Sequence, residues 1–446
     1  MSAYYLRLAL KSFRRNPGLT ALMVGAIALG IAVCVMTLTV YHAMSGNPIW
    51  WKSDRLYAVT MDNWDPNDPP DPRHPQLPPE MMTYKDATYL ARSNIPERKI
   101  VTYKANGIVS GGTAERRPHR VVSRLTMADF FAMFDVPFQY GNGWTAAADQ
   151  GPEPVIVISK KENDTLFGGA NSIGRNIIWN NHQFRIVGVL KNWSPQPKFY
   201  DLNNGPFDVA EDAYIPFGWG QALELLTGGS SNCWRPEPLN SFQDLLNSDC
   251  VWFEMWVELP NAKSRDRMQA FMDSYWAEQR KSGRFPRPQN NRLTNVSQWM
   301  VDQGVVENDN RVLVGLSFAF LAVCLINTVG LLLAKFLNGA AITGVRRALG
   351  ASRRQIFIQH LVEVGVLSSF GALLGLVFGG LGLWGVHQLY SSVRFGEPGG
   401  YQELTHFDTA SIIWAVILAI VATLAAGLYP AWRIGRLAPA VYLKSQ

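Results

Sequence analysis

Charge is scarce in this 446-residue chain: Asp, Glu, Lys and Arg make up only 17% of it, against roughly 25% in soluble domains. Cysteine is scarcer still. Four residues exclude a disulfide-dense scaffold and a cysteine-rich metal array. No HExxH, GxSxG or CxxC occurs, and the seven histidines never pair at metal-ligand spacing. No GxxxxGK[ST] phosphate loop occurs either, so these residues build no Walker-type nucleotide site. The sequence therefore offers no catalytic and no metal-binding constellation. A 48% apolar content excludes intrinsic disorder.

The missing charge is localised. Residues 18–51, 312–334, 364–393 and 409–432 contain no Asp, Glu, Lys or Arg. Each run exceeds the roughly 20 residues that cross a hydrocarbon core. The first, densest over 19–44, follows a basic start but outlasts the roughly 7–15-residue core of a signal peptide. It is expected to be a retained anchor. The predicted order is an amphipathic segment (1–17), helix one (18–44), a large domain (45–311), helix two (312–334), a basic segment (335–363), helix three (364–393), a short loop (394–408), helix four (409–432) and a tail (433–446).

Orientation follows from the basic residues. Arg7, Lys11, Arg14 and Arg15 precede the first run. Lys335, Arg346, Arg347, Arg353 and Arg354 lie between the second and third with Glu363 the only acid, and Arg433, Arg436 and Lys444 follow the fourth. Both termini and 335–363 are thus expected inside, with 45–311 and 394–408 outside. The net +6 reads as topology and contact with the lipid bilayer, not as a nucleic-acid face. Uncharged spans leave no members for a proton relay. Asn327 and Thr328 are expected to hydrogen-bond between helices. Gly371, Gly375 and Gly379 form a small-residue stripe, read as a helix-packing seam, with a dimer seam as the alternative.

Cys34 and Cys324 fall inside apolar runs and read as packing residues. Cys233 and Cys250 lie in the outer domain, where an oxidising compartment would permit a disulfide; two free thiols are the alternative. The outer domain mixes short strands (55–60, 99–109, 120–123, 154–159, 213–217, 251–259) with helices (79–93, 126–134, 161–167, 264–280). Asn180-Asn181 marks a hairpin turn. The fold class is a four-span α-helical membrane protein carrying an α+β domain of two lobes between helices one and two. Trp219, Trp234, Trp252 and Trp256 read as packing, or as an aromatic surface for a substrate or partner.

The most informative segment is Gly344, Val345, Arg346, Arg347, Ala348, Leu349, Gly350 and Ala351, then Ser352, which reads as the N-cap of the next helix. It is a basic amphipathic helix, a turn and a second helix. Charge and periodicity leave a lipid-surface element and a partner-docking element equally open.

This segment resembles the cytoplasmic signature of MacB/FtsX-type (type VII) ABC transporter permeases, which runs roughly Arg-Glu-Ile-Gly-x-Arg-Arg-Ala-Leu-Gly-Ala. Residues 130–137, 155–159, 166–169, 173–175 and 184–190 resemble, in order, the periplasmic core domain of MacB-like members. The resemblance implies a multi-pass permease subunit of the bacterial inner membrane, without a fused ATPase, and porter and Sabre-like lobes in the domain. It implies a second permease subunit, as homodimer or heterodimer. It makes 344–351 the coupling helix on a separate cytoplasmic ABC ATPase, which would bind ATP and Mg; the chain itself would bind no cofactor and would not be an enzyme. Mechanotransmission to the periplasmic domain would drive efflux with a periplasmic adaptor and an outer-membrane channel. FtsX-like regulation of cell-wall hydrolases and LolCDE-like lipoprotein extraction are the alternatives. One departure stands out: the signature's acid is Ile342, which suggests a specialised half of a heterodimer. The sequence does not name the transported substrate.

Overall fold

A computed structural model describes residues 2–111, 117–305, 308–392, 417, 421, 424 and 427–433. The chain divides into two compact units, one of residues 1–45 with 306–446, the other of residues 46–305.

In the first unit, an amphipathic N-terminal helix (Ser2–Arg15) is followed by the first span helix (Pro17–Ser45). The second span helix (Asn308–Asn338), a linker helix (Ala340–Ala348) and the third span helix (Arg353–Ser392) follow. Three segments, Pro17–Ser45, Val312–Asn338 and Arg353–Val386, are long and apolar enough to cross a membrane. The fourth apolar run, 409–432, lies mostly outside the described residues, and loop 394–408 lies wholly outside them.

The first span helix is the hub of this unit. Its Ile27, Ile31, Cys34 and Val35 are buried against Leu321 of the second span helix and Ala372 of the third. Gly371 and Gly375 make this possible. A Cβ on Gly371 would lie 2.5 Å from Ile27 Cγ2, and one on Gly375 would lie 2.8 Å from Ile31 Cγ2. Gly379 faces Val35 at ordinary contact distance. The stripe is thus filled by this chain's own first helix, one turn per glycine, and at Gly371 and Gly375 nothing larger than hydrogen fits. Thr328 departs from expectation: its hydroxyl donates to Cys324 O at 2.8 Å, within its own helix. In lipid the nearest carbonyl with a spare lone pair is four residues back, on the same helix. Asn327 is exposed.

The second unit is α+β. Ten strands, β1 (Leu56–Thr60), β2 (Arg98–Gly111), β3 (His119–Thr126), β4 (Phe138–Gly141), β5 (Val155–Ile158), β6 (Asn176–Trp179), β7 (His182–Leu190), β8 (Ala213–Pro216), β9 (Glu254–Glu258) and β10 (Arg292–Asn295), form one sheet. The order is β10-β1-β9-β2-β3-β8-β5-β7-β4, with β6 pairing β2 and β7. Strand β2 joins two halves: residues 98–102 pair β9, and 103–109 pair β3. Each half has its own apolar cluster, one around Tyr103, Trp252 and Met272, the other around Ile156, Trp179 and Phe184.

Local chemistry explains most elements. Asn180 and Asn181 take φ of 46° and 65°, the left-handed pair that a two-residue hairpin needs. Helix Ala262–Lys281 buries Met268, Met272 and Tyr275, three or four residues apart on one face. The helix expected over 79–93 is only Tyr84–Leu90, because Thr83 caps it by accepting from Asp86 N. Strands β4 and β10 depart from expectation; both are four residues long, and neither carries the run of β-branched apolar residues that marks β5.

Candidate functional site

The basic segment is shaped by its two ends. The linker helix closes where Gly350 takes φ +100°, a conformation strained for any residue with a Cβ. Gly350 N donates to Arg347 O and Ala351 N to Arg346 O, both at 3.1 Å. The third span helix then opens on a reciprocal cap. Ser352 Oγ accepts from Gln355 N at 3.2 Å, and Gln355 Oε1 accepts from Ser352 N at 2.9 Å. Both turns of backbone are thereby satisfied locally.

The linker helix is braced on one side and open on the other. Arg346 donates to Gln359 Oε1 at 2.6 Å and to Tyr4 Oη at 3.4 Å, tying it to the third span helix and the N-terminal helix. Gly344 is buried. Val345, Ala348 and Leu349 are exposed, Leu349 at 83%. Spaced i, i+3, i+4, they form one outward apolar face. Arg347 is half-buried. Ile342's side chain lies outside the described residues.

Beside this helix lies a group that sequence reasoning missed. The sequence places 335–363 between the spans, as a basic helix, a turn and the start of the next helix; in the structure the second span helix runs on to Asn338, and the third, begun at Arg353 after its Ser352 cap, carries Glu363. Lys335 and Glu363 therefore belong to helices and are buried, 2.7 Å apart. Ser12 donates to Glu363 Oε1 at 2.5 Å, and His360 Nδ1 is 3.5 Å from Oε2. Lys335 lies over the Phe13 ring, 4.7 Å from its centre. Three helices thus converge on one carboxylate. No local signal predicts this pair; only the helix lengths would have placed both charges inside.

In the α+β unit, Cys233 and Cys250 are disulfide-bonded. The bridge is flanked by Asp249, which pairs with Lys85 at 3.1 Å and Arg284 at 3.3 Å and also meets Arg235. Trp252 and Trp256 are fully buried and Trp219 partly so. Next to Trp252, Tyr84, Tyr103, Phe217 and Phe253 line a cleft of about 380 Å³. At its rim, burial pushes the Asp149 carboxyl up to about 6 although it accepts from Ala128 N and Trp144 Nε1.

A buried ionic cluster holds strand β3 to the chain at 198–211. Arg124, Lys198, Asp201 and Glu211 are almost wholly buried. Lys198 Nζ is 3.0 Å from Asp201 and 2.7 Å from Glu211, and Arg124 contacts both carboxylates. Burial pushes both acids up, but Arg124 and Lys198 outweigh it and hold them below their usual range. Glu254 is pushed the other way, by burial and by Asp201. Two cations thus face two carboxylates, with Glu254 Oε2 3.7 Å from Arg124. Among the described residues, no group of three His, Cys, Asp or Glu side chains is placed to hold a metal ion.

Residues 20–274 match the family model of the MacB-like periplasmic core domain, and residues 314–439 match that of the FtsX-like permease C-terminal. The chain belongs to the MacB/FtsX-type ABC transporter permease family. The permease is 25% identical over 323 residues to a macrolide export ATP-binding/permease protein of Wolinella succinogenes, covering 72% of this chain and 43% of that one. It is 25% identical over 436 residues to a pyoverdine export ATP-binding/permease protein of Pseudomonas syringae pv. tomato, covering 96% and 57%. It spans about half the length of these curated relatives. The crystal structure of the periplasmic region of MacB from Actinobacillus actinomycetemcomitans aligns at 14% identity and a TM-score of 0.36, covering 58% of this chain and 96% of that one.

Proposed function

We propose that the permease couples ATP hydrolysis on a separate cytoplasmic ABC ATPase to movement of its α+β domain. The outward face of the linker helix carries this reading. Val345, Ala348 and Leu349 are exposed on a helix that Arg346 fixes to its neighbours. An apolar stripe on a braced helix suits a groove on a partner protein. ATP and Mg would be held by that ATPase. A second permease subunit would complete the dimer, and Ile342, where the family signature has an acid, suits a heterodimer. The termini and linker helix would face the cytoplasm and the α+β domain the periplasm, as the Lys/Arg bias directs. Motion of the span helices would pass to that domain by mechanotransmission.

Export with a periplasmic adaptor and an outer-membrane channel is the favoured process, since relatives covering most of this chain are named for macrolide or pyoverdine export. Affinity purification of the full chain from its own membranes tests the reading. Recovery of an ABC ATPase with an adaptor supports export. A wall hydrolase in place of the adaptor would indicate FtsX-like regulation, and a lipoprotein would indicate extraction. Leu349→Asp is expected to abolish ATPase recovery while the chain still folds. An ATPase that co-purifies equally with the variant would remove the linker helix from the coupling role.

A further inference from the structure

A cavity of about 500 Å³ opens among the N-terminal helix, the end of the second span helix and the start of the third. Lys11, Arg15, Lys335, Arg346, His360 and Glu363 line it. Its charge is unbalanced. Glu363 is paired with Lys335, and among the described residues Arg346 bonds neutral oxygens, those of Gln359 and Tyr4. Among the described residues, neither Lys11 nor Arg15 has an acidic partner. Among the described residues, three cations therefore face one space without a counter-charge. Among the described residues a further polar group has no partner: His360 is 6% exposed, and its Nε2 makes no hydrogen bond. A buried ring nitrogen left open beside excess positive charge calls for an anionic oxygen ligand.

We propose that this cavity binds the phosphate of an anionic phospholipid headgroup. Phosphate oxygens would accept from Lys11, Arg15 and Arg346, with His360 Nε2 as a fourth donor. The N-terminal helix points to lipid rather than to a soluble anion. Tyr4, Leu6 and Leu10 on it are exposed at 59%, 45% and 43%, beside Arg7, Lys11, Arg14 and Arg15. An exposed apolar face interleaved with cations belongs in the headgroup boundary. The cavity also lies where two span helices end, at headgroup depth, and basic pockets in that position hold acidic lipid headgroups.

The test uses the full chain purified in neutral detergent. Phosphatidylglycerol, phosphatidylcholine and inorganic phosphate are each titrated, and adducts are counted by native mass spectrometry. One phosphatidylglycerol is expected to be retained in preference to phosphatidylcholine. Lys11→Gln with Arg15→Gln should weaken that binding by on the order of 25-fold, about fivefold per cation. Arg7→Gln with Arg14→Gln, on the same helix but outside the cavity, should leave it unchanged. Circular dichroism of both pairs separates lost binding from lost fold. Equal retention of phosphatidylcholine, or equal weakening by the two pairs, would overturn the site. Inorganic phosphate binding as tightly as the lipid would overturn the lipid as its source.

Discussion

Arg124 shows how much a single residue can carry when its partners are distant in sequence. Its guanidinium meets Asp201 and Glu211 with all three side chains fully buried. Removing the cation leaves two buried carboxylates to share Lys198 alone, and breaking a buried pair in this way typically costs about 3–5 kcal/mol. Arg124→Met is therefore expected to lower the melting temperature of the α+β unit sharply by calorimetry, whereas Arg120→Met, whose side chain is exposed, should not. Asp149 gives a subtler effect. Its carboxyl titrates near 6 when folded and near 3.8 when free. Between those values the folded state holds more protons than the unfolded one, so stability falls as pH rises through that window. Asp149→Asn removes this slope. Relative to the parent, the variant should gain on the order of 1–3 kcal/mol between pH 4 and pH 6.5. Parallel slopes in thermal melts would show that Asp149 is not the titrating group. Neither residue was legible in advance, because an Arg in an alternating strand reads as solvent-facing until the element covering it is known.

At the scale of elements, the glycine stripe is the clearest case. Its spacing in sequence was visible, but the partner was not. Ile27 and Ile31 fill it, so Gly375→Leu must push the third span helix off the first. Overpacking of this kind costs roughly 1–3 kcal/mol and should appear as a lower melting temperature in detergent. Gly385→Leu is the comparison, since among the described residues nothing lies within 4 Å of a Cβ there, and it should be neutral. The linker helix was legible from its basic residues and from Ser352 as a cap. Which face it turns outward was settled by Arg346, whose bonds to Gln359 and Tyr4 hold the opposite face down.

For the whole molecule, the segregation of charge predicts topology. Cysteines placed at Arg354→Cys and Glu278→Cys, both exposed positions, should label from opposite sides of the membrane in sealed cells and inverted vesicles. Background labelling should be low, because Cys233 and Cys250 are bonded and Cys34 and Cys324 are buried. Labelling of both from one side would overturn the orientation. The long uncharged runs, the mixed α+β pattern and the family signature were readable directly, because each is a local property: length against membrane thickness, period against element type, residue order against a motif. What the tertiary structure decided is everything that depends on two distant segments meeting. The Lys335–Glu363 pair, the Arg124 cluster and the cover over the glycine stripe all join residues whose encounter is set by packing, and packing also chose the Cys233–Cys250 bridge over two free thiols.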